Sequence, residues 1–198
     1  MSDQVLPHRS DYLALERAAS RSYLEFVYGD PGEADRIREG LFDARACEFG
    51  PEFGRVLLDR HGMVGMISCL RAEEVTRVRM RAAMCLARAG WLAKSSETWA
   101  RMELAGRTLI KLQPGDYYLS RIAVRHEPRA PGASDEMMRF CIGQAEQSGS
   151  SRICLEVAKG NDRAIRFYQR WSFAEVAVRS VEAADRSLTY AHLVRPLR

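Results

Sequence analysis

Lysine is scarce in this 198-residue chain: Lys94, Lys111 and Lys159 are the only three, so arginine supplies nearly all of the excess behind a net charge of +4. The arginines are interspersed with Asp and Glu, and no basic block of the kind that grips a phosphate backbone stands out, so no nucleic-acid partner is expected. A modestly anionic ligand suits the balance. Long apolar runs are missing as well. None approaches the ~20 residues that span a bilayer, and the opening stretch "MSDQVLPHRSDYLALERA" has early acids and no apolar signal core. A cytoplasmic protein with no membrane partner is the expectation. Metal-type cysteine patterns are absent too. Cys47, Cys69, Cys85, Cys141 and Cys154 are odd in number, and none forms a C-x-x-C or a Cys/His cluster at ligand spacing. Buried free thiols are the expectation, with no metal. There is no internal repeat or low-complexity segment, and with 46% hydrophobic residues the length suits one well-filled core, a single domain over 1–198.

What is present is a mixture of helical and strand periods. Residues 11 to 28 carry Leu15, Ala18, Ala19, Tyr23, Phe26 and Val27 at helical spacing, with Ser10 or Asp11 as N-cap and Gly29 as a stop. A second helix is expected over 33 to 44. Residues 55 to 70 read as two strands with a tight turn at His61-Gly62. From 75 to 106 the pattern is helical again, with a serine cap at "SSETW" and an end at Gly106. "YYLSRIAV", 117 to 124, is an aromatic and branched strand. A helix over 134 to 148 and the strand "RICLEV" follow, making a βαβ unit whose two strands should be parallel. Asn161 precedes a helix over 162 to 171, and two strands near 173 to 180 and 188 to 194 close the chain as a hairpin.

The join between strand and helix in that βαβ unit, "RHEPRAPGAS", is built to hold an anion. The first N–H groups of a helix lack internal partners and its dipole points positive end outward. Gly132 allows close backbone approach. Pro131, however, offers no N–H where a phosphate-cradling loop would want one. Its fixed φ just ahead of the helix can preset the turn, leaving Gly132, Ala133 and Ser134 as donors.

Residues 119 to 134, "LSRIAVRHEPRAPGAS", and 155 to 173, "LEVAKGNDRAIRFYQRWSF", together resemble the two signatures of the GCN5-related N-acetyltransferase (GNAT) superfamily. The first signature is an apolar strand followed by [Q/R]-x-x-G-x-[G/A], here Arg129-Ala130-Pro131-Gly132-Ala133-Ser134. The second is L-x-V, then N-x-x-A-x-x-[FL]-Y and a closing G-F. The clear match covers 117 to 177. The resemblance implies an α/β GNAT-like domain: a mixed central sheet whose parallel pair, strands 4 and 5 in the superfamily's order, splays apart, flanking helices, and a helical insertion at about 71–114 between strands 3 and 4. It also implies acetyl-CoA as co-substrate. The Ile122, Ala123 and Val124 backbone would hold the pantetheine and acetyl group like an added strand. Arg129, Ala130, Gly132, Ala133 and Ser134 would hold the pyrophosphate, and Asn161 would contact the pantetheine arm. Tyr168 would donate a proton to the leaving thiolate. Glu156 occupies the place where the ribosomal-protein N-terminal acetyltransferases carry a glutamate paired with that tyrosine, which makes it the candidate general base.

Plainer roles stand beside these. Glu156 would serve equally as a cation-pairing residue on the sheet, and Tyr168 as a core tyrosine. Trp91 and Trp99 either anchor the insertion's helices, the favoured reading, or line the acceptor site. His8, His61, His126 and His192 show no catalytic pattern, His61 being read as a turn residue. Three departures from the superfamily pattern are clear: Pro131 removes a possible donor, Ser134 replaces a small residue and "WSF" replaces Gly-Phe, which costs the turn its easy left-handed residue. The leading expectation is acetyl transfer to a primary amine of a small molecule by direct attack in a ternary complex. A protein N-terminus or lysine is the alternative acceptor, and a non-catalytic acyl-CoA sensor the alternative class. A homodimer, common among such proteins, is left open by a sequence with no interface signature.

Overall fold

Asp30 and Pro31 show how local chemistry sets the element boundaries. The Asp30 carboxylate accepts the Gly32 N–H at 2.8 Å as N-cap, and Pro31 follows at the first helical position, where no N–H is needed. The helix therefore starts two residues earlier than periodicity alone indicates. The computed structural model describes residues 8–89, 96–126 and 130–197. In chain order it contains α1 Arg9–Val27, α2 Pro31–Asp43, a 3-10 turn Pro51–Phe53, β1 Gly54–Asp59, β2 Gly62–Arg71, α3 Ala72–Arg88, α4 Ser96–Gly106, β3 Asp116–Val124, α5 Ala133–Gln147, β4 Arg152–Ala158, α6 Asp162–Arg170, β5 Ala174–Ala183 and β6 Arg186–Pro196. Helix α1 begins ahead of the expected caps, with His8 at the N-cap and no side-chain cap bond; Gly29, at φ +69°, ends it as foreseen. The first hairpin turns at Arg60-His61, one residue early, where Asp59 accepts the His61 N–H at 2.7 Å.

The strands form one six-stranded mixed sheet in the order β1-β2-β3-β4-β6-β5, in which only β3 and β4 are parallel. They are the third and fourth strands of the described chain, with the helical segment α3 and α4 between β2 and β3. Helices α5 and α6 cover one face, burying Met137, Met138, Cys141 and Tyr168 against Ile153, Leu155 and Leu193. Residues such as Met137 and Ile153 are fully buried, each contributing about 1.5–3 kcal/mol of apolar transfer. Gly65 of β2 permits the close approach: a Cβ there would lie 2.8 Å from the Ala123 carbonyl and 3.2 Å from Met137 Cε. The other face carries α1, α3, α4 and the return segment leading to β3. There Tyr118, Cys154 and Val194 pack with Val75, Val78 and Ile110, and α1 packs on Leu188. Cys47, Cys69, Cys141 and Cys154 are buried free thiols, while Cys85 is only half-buried. Trp99 is 44% exposed and belongs to no core cluster among the described residues, where the sequence reading favoured an anchor; α4 buries Ala105 toward α1 instead. Trp91 lies outside the described residues.

Two features shape the middle of the sheet. Ser68 pairs with Arg121 but its neighbour Cys69 pairs with Leu119, so Ser120 is an extra residue bulged out of β3. Before the bulge Tyr117 and Leu119 face α5; after it Ile122 does, and Val124 approaches Gly65 on the same side. Ser120 and Arg121 are thereby both turned to the opposite face, where they reach Glu48 and Glu16 respectively. The second feature is the short parallel ladder. β3 and β4 pair only at Asp116–Arg152, Tyr117–Ile153 and Tyr118–Cys154, and then separate. A bidentate ion pair fastens the closed end, Arg152 Nε and Nη2 lying 2.6 and 3.0 Å from the Asp116 carboxylate. Burial alone would raise the Asp116 pKa; Arg152 and the Gln113 N–H outweigh it and hold the group below its usual range.

Candidate active site

Beyond Tyr118 and Cys154, the facing edges of β3 and β4 have no strand partner. Unpaired edges inside a sheet require other hydrogen-bond partners. Ile122, Ala123 and Val124 satisfy their other edge by pairing with Ile67, Met66 and Gly65 of β2.

At the end of this gap on the α5 side, the loop ahead of α5 resolves the proline puzzle. Ala133 donates to the Ala130 carbonyl at 3.2 Å, with Pro131 and Gly132 between them and Gly132 at φ +81°, ψ −10°. This is a type II turn, in which proline belongs at the second position and glycine at the third. The missing N–H of Pro131 points to a place the turn does not need to fill. The Ala133 N–H is spent closing the turn. Glu136 bonds back to Gly132, so the N–H groups of Ser134 and Asp135, in the first turn of α5, have no intrahelical acceptor. Ser134 lies inside the helix and not at its cap, which is Gly132. Trp171 Nε1 donates to Asp135 at 3.1 Å and ties α6 to this turn. Arg129 lies outside the described residues.

Helix α6 begins at Asn161, whose side-chain oxygen accepts the Ala164 N–H at 3.1 Å. Its end is a Schellman motif: Phe173 N–H to the Tyr168 carbonyl at 3.1 Å and Ser172 N–H to Gln169 at 2.9 Å, with Ser172 at φ +62°. The serine adopts the left-handed conformation that glycine would take without strain. Inside this frame the Tyr168 ring packs edge-on against Phe167 and Phe173, with centroids 5.5 and 5.6 Å away. Its hydroxyl makes no hydrogen bond with the described residues. Burial, with Cys141 adding, pushes the Tyr168 pKa well above the ordinary tyrosine value, so the hydroxyl keeps its proton.

Glu156 points the other way. Leu155 and Val157 belong to the α5 layer, and alternation along β4 puts Glu156 on the α1/α3 face. Its Oε1 accepts the Ile110 N–H at 2.5 Å, and its strand neighbour His192 meets the Thr108 carbonyl at 2.6 Å through Nε2. The return segment from α4 is thus stitched across β4 and β6. Burial raises the Glu156 pKa, opposed by the Ile110 N–H and the Tyr118 hydroxyl. Around it stand groups that sequence reasoning did not single out. Arg79 of α3 pairs with Glu48 and lies over the Tyr118 ring at 5.7 Å. Arg121 contacts Glu16 and Ser20 of α1. Tyr190 of β6 is pushed up to about 12, chiefly by burial. The one local signal was an arginine in the otherwise apolar strand "YYLSRIAV".

A parallel strand pair that separates at its C-terminal end, with a helix N-terminus beside the gap, is the arrangement that the GNAT resemblance implies. The chain belongs to the Acetyltransferase (GNAT) family, whose model matches residues 21–173. No curated protein sequence matches it. Solved structures share the fold at low identity. An N-acetyltransferase from Staphylococcus aureus Mu50 aligns with a TM-score of 0.64 and 16% identity, covering 96% of each chain. The ribosomal-protein-alanine N-acetyltransferase from Brucella melitensis gives 0.56 and 12%, covering 95% of this chain and 93% of its own. Naa20 of Chaetomium thermophilum, solved with a bisubstrate analogue, gives 0.50 and 15%, covering 96% and 83%.

Proposed function

We propose that this enzyme moves the acetyl group of acetyl-CoA to a primary amine of a small molecule, by direct attack inside a ternary complex. The observation that carries the reading is the unpaired gap between β3 and β4, with Tyr168 and Glu156 on its opposite faces. Acetyl-CoA approaches from the α5 side. The Ser134 and Asp135 N–H groups hold its pyrophosphate, with Ala130, Gly132 and Ala133 shaping the loop and Arg129 adding charge. The Ile122–Val124 edge and Asn161 position the arm. Ala133 contributes through the turn it closes and not as a free donor.

The amine enters from the α1/α3 side. Its nitrogen must be neutral to attack, and Glu156, whose proton affinity burial raises, takes the proton directly or through water. As the C–N bond forms and the C–S bond breaks, Tyr168 supplies a proton to the departing sulfur. A small acceptor suits the stitching of the return segment to Glu156 and His192, which covers part of that face. A protein N-terminus is the rival acceptor, favoured by the Glu156 and Tyr168 combination. Calorimetry with acetyl-CoA, followed by CoA release with small amines and N-terminal peptides, tests the proposal. Absence of acetyl-CoA binding at ~1 mM, an affinity of only ~4 kcal/mol, refutes it. Binding without transfer to any amine points to a sensor, and preference for peptides points to the rival acceptor.

A further inference from the structure

We infer that the acceptor is an amine that also carries a carboxylate, and that Arg121, with Arg79 beside it, is the residue that selects it. This rests on the acetyltransferase reading of the same site. Arg121 is held unusually firmly for a residue beside a gap. Its Nε lies 2.6 Å from Ser20 Oγ and 3.3 Å from Glu16 Oε1, and its Nη1 donates to the Ser120 carbonyl at 2.7 Å. Its Nη2 has no partner among the described residues, and the side chain is 22% exposed, so that nitrogen faces accessible space.

Glu16 does not need Arg121 for neutralisation. The buried Arg38 already binds Glu16 through Nε at 2.5 Å and through Nη2, and it shares Asp35 with Arg17. Arg17, Arg38 and Arg121 thus form ion pairs with Glu16 and Asp35 alone, two carboxylates for three guanidiniums, while the nearby Glu48 is paired with Arg79. The Ser120 bulge turns this surplus cation to the acceptor side. Arg79 binds Glu48 through Nε, and its terminal nitrogens, stacked over Tyr118, have no hydrogen-bond partner among the described residues.

Across the gap stands Glu156, of opposite sign, on the neighbouring strand β4. A bare alkylammonium would be drawn to Glu156 and repelled by Arg121. An amine with its own carboxylate satisfies both ends. Closing the site over a neutral amine would strip water from Arg121 Nη2 and give nothing back, and a site built to hydrogen-bond a group discriminates strongly against analogues that lack it.

The test measures kcat/KM by CoA release for α-, ω- and acidic amino acids, each against its carboxamide, with aminophosphonates, plain alkylamines and short peptides alongside. The expected result is a carboxylate-bearing best substrate, preferred over its own carboxamide by about 10- to 100-fold. Arg121→Lys, which keeps the charge and loses the fork, and Arg79→Gln should shrink that preference by raising KM more than they lower kcat. Calorimetric titration of the preferred amino acid into the CoA-saturated protein should show the same loss, and acetyl-CoA affinity should not change. If Arg121→Lys fails to fold, Arg79→Gln carries the test. Carboxamides or alkylamines used equally well overturn the inference, as does a preference for aminophosphonates or peptides. Acetyl-CoA binding without transfer to any carboxylate-bearing amine overturns it while leaving the cofactor reading intact; no acetyl-CoA binding overturns both.

Discussion

Replacing Tyr168 by phenylalanine separates chemistry from architecture. The change keeps the ring, so its edge-on contacts with Phe167 and Phe173 and its place in the α5 layer persist. Only the hydroxyl leaves, and that hydroxyl has no hydrogen-bond partner among the described residues. Stability should therefore change by no more than about 0.5 kcal/mol, a shift of about 2 °C or less in Tm for a chain this size. Turnover should respond quite differently. A positioned general acid contributes typically 10²–10⁴-fold, so kcat for CoA release at saturating substrates should fall by about 10²-fold or more. Affinity for acetyl-CoA, read by calorimetry, should move less than about threefold, under 1 kcal/mol. Tyr168→Ala supplies the contrast, losing the buried ring and about 3–5 kcal/mol of stability. The wild-type rate should also show no alkaline fall near the ordinary tyrosine pKa, since burial holds the Tyr168 proton above it. Turnover of Tyr168→Phe within about twofold of wild type would refute the role.

Glu156→Gln tests the base. Because burial raises the Glu156 pKa, wild-type kcat/KM should climb as pH rises through it and the variant should lack that climb. The same shift makes the protonated form the better fit to the fold, so this group's contribution to stability is lost as pH rises through the folded pKa, and the variant should melt higher than wild type at pH 8. At the end of α6, Ser172→Gly should stabilise the protein by about 0.5–1 kcal/mol by relieving the φ +62° strain, while Gly149→Ser, in the matching motif after α5, should cost about 1–2 kcal/mol; thermal unfolding reads both. A Cβ at Gly132 would meet nothing within 4 Å, so Gly132→Ala pays only for the backbone at φ +81°, and loosening of this turn should weaken acetyl-CoA binding by about 5-fold, roughly 1 kcal/mol, in calorimetry.

The proposed cofactor half of the candidate site was legible because it is local. Gly132, Ser134, Asn161 and Tyr168 fall on one βαβα run, where turn residues, a cap and helical spacing occur in order. Even there, Pro131 looked like a defect until the Ala130–Ala133 bond showed it at the second position of a type II turn. The acceptor half was not legible. Glu48, Arg79, Arg121 and Tyr190 come from separate stretches of the chain, and no periodicity links them. Period-2 alternation along 117 to 124 also gives no sign of a residue that breaks the alternation.

That residue, Ser120, is taken up by the bulge as a spare position in the strand. Deleting it would join Leu119 to Arg121, which already face the consecutive partners Cys69 and Ser68, so the ladder would become regular with Arg121 still on the polar side and Ile122 and Val124 still toward α5. A single-codon loss can therefore be absorbed at position 120, whereas loss of Ala123, in the regular part of the ladder, would turn Val124 to the opposite face of the sheet.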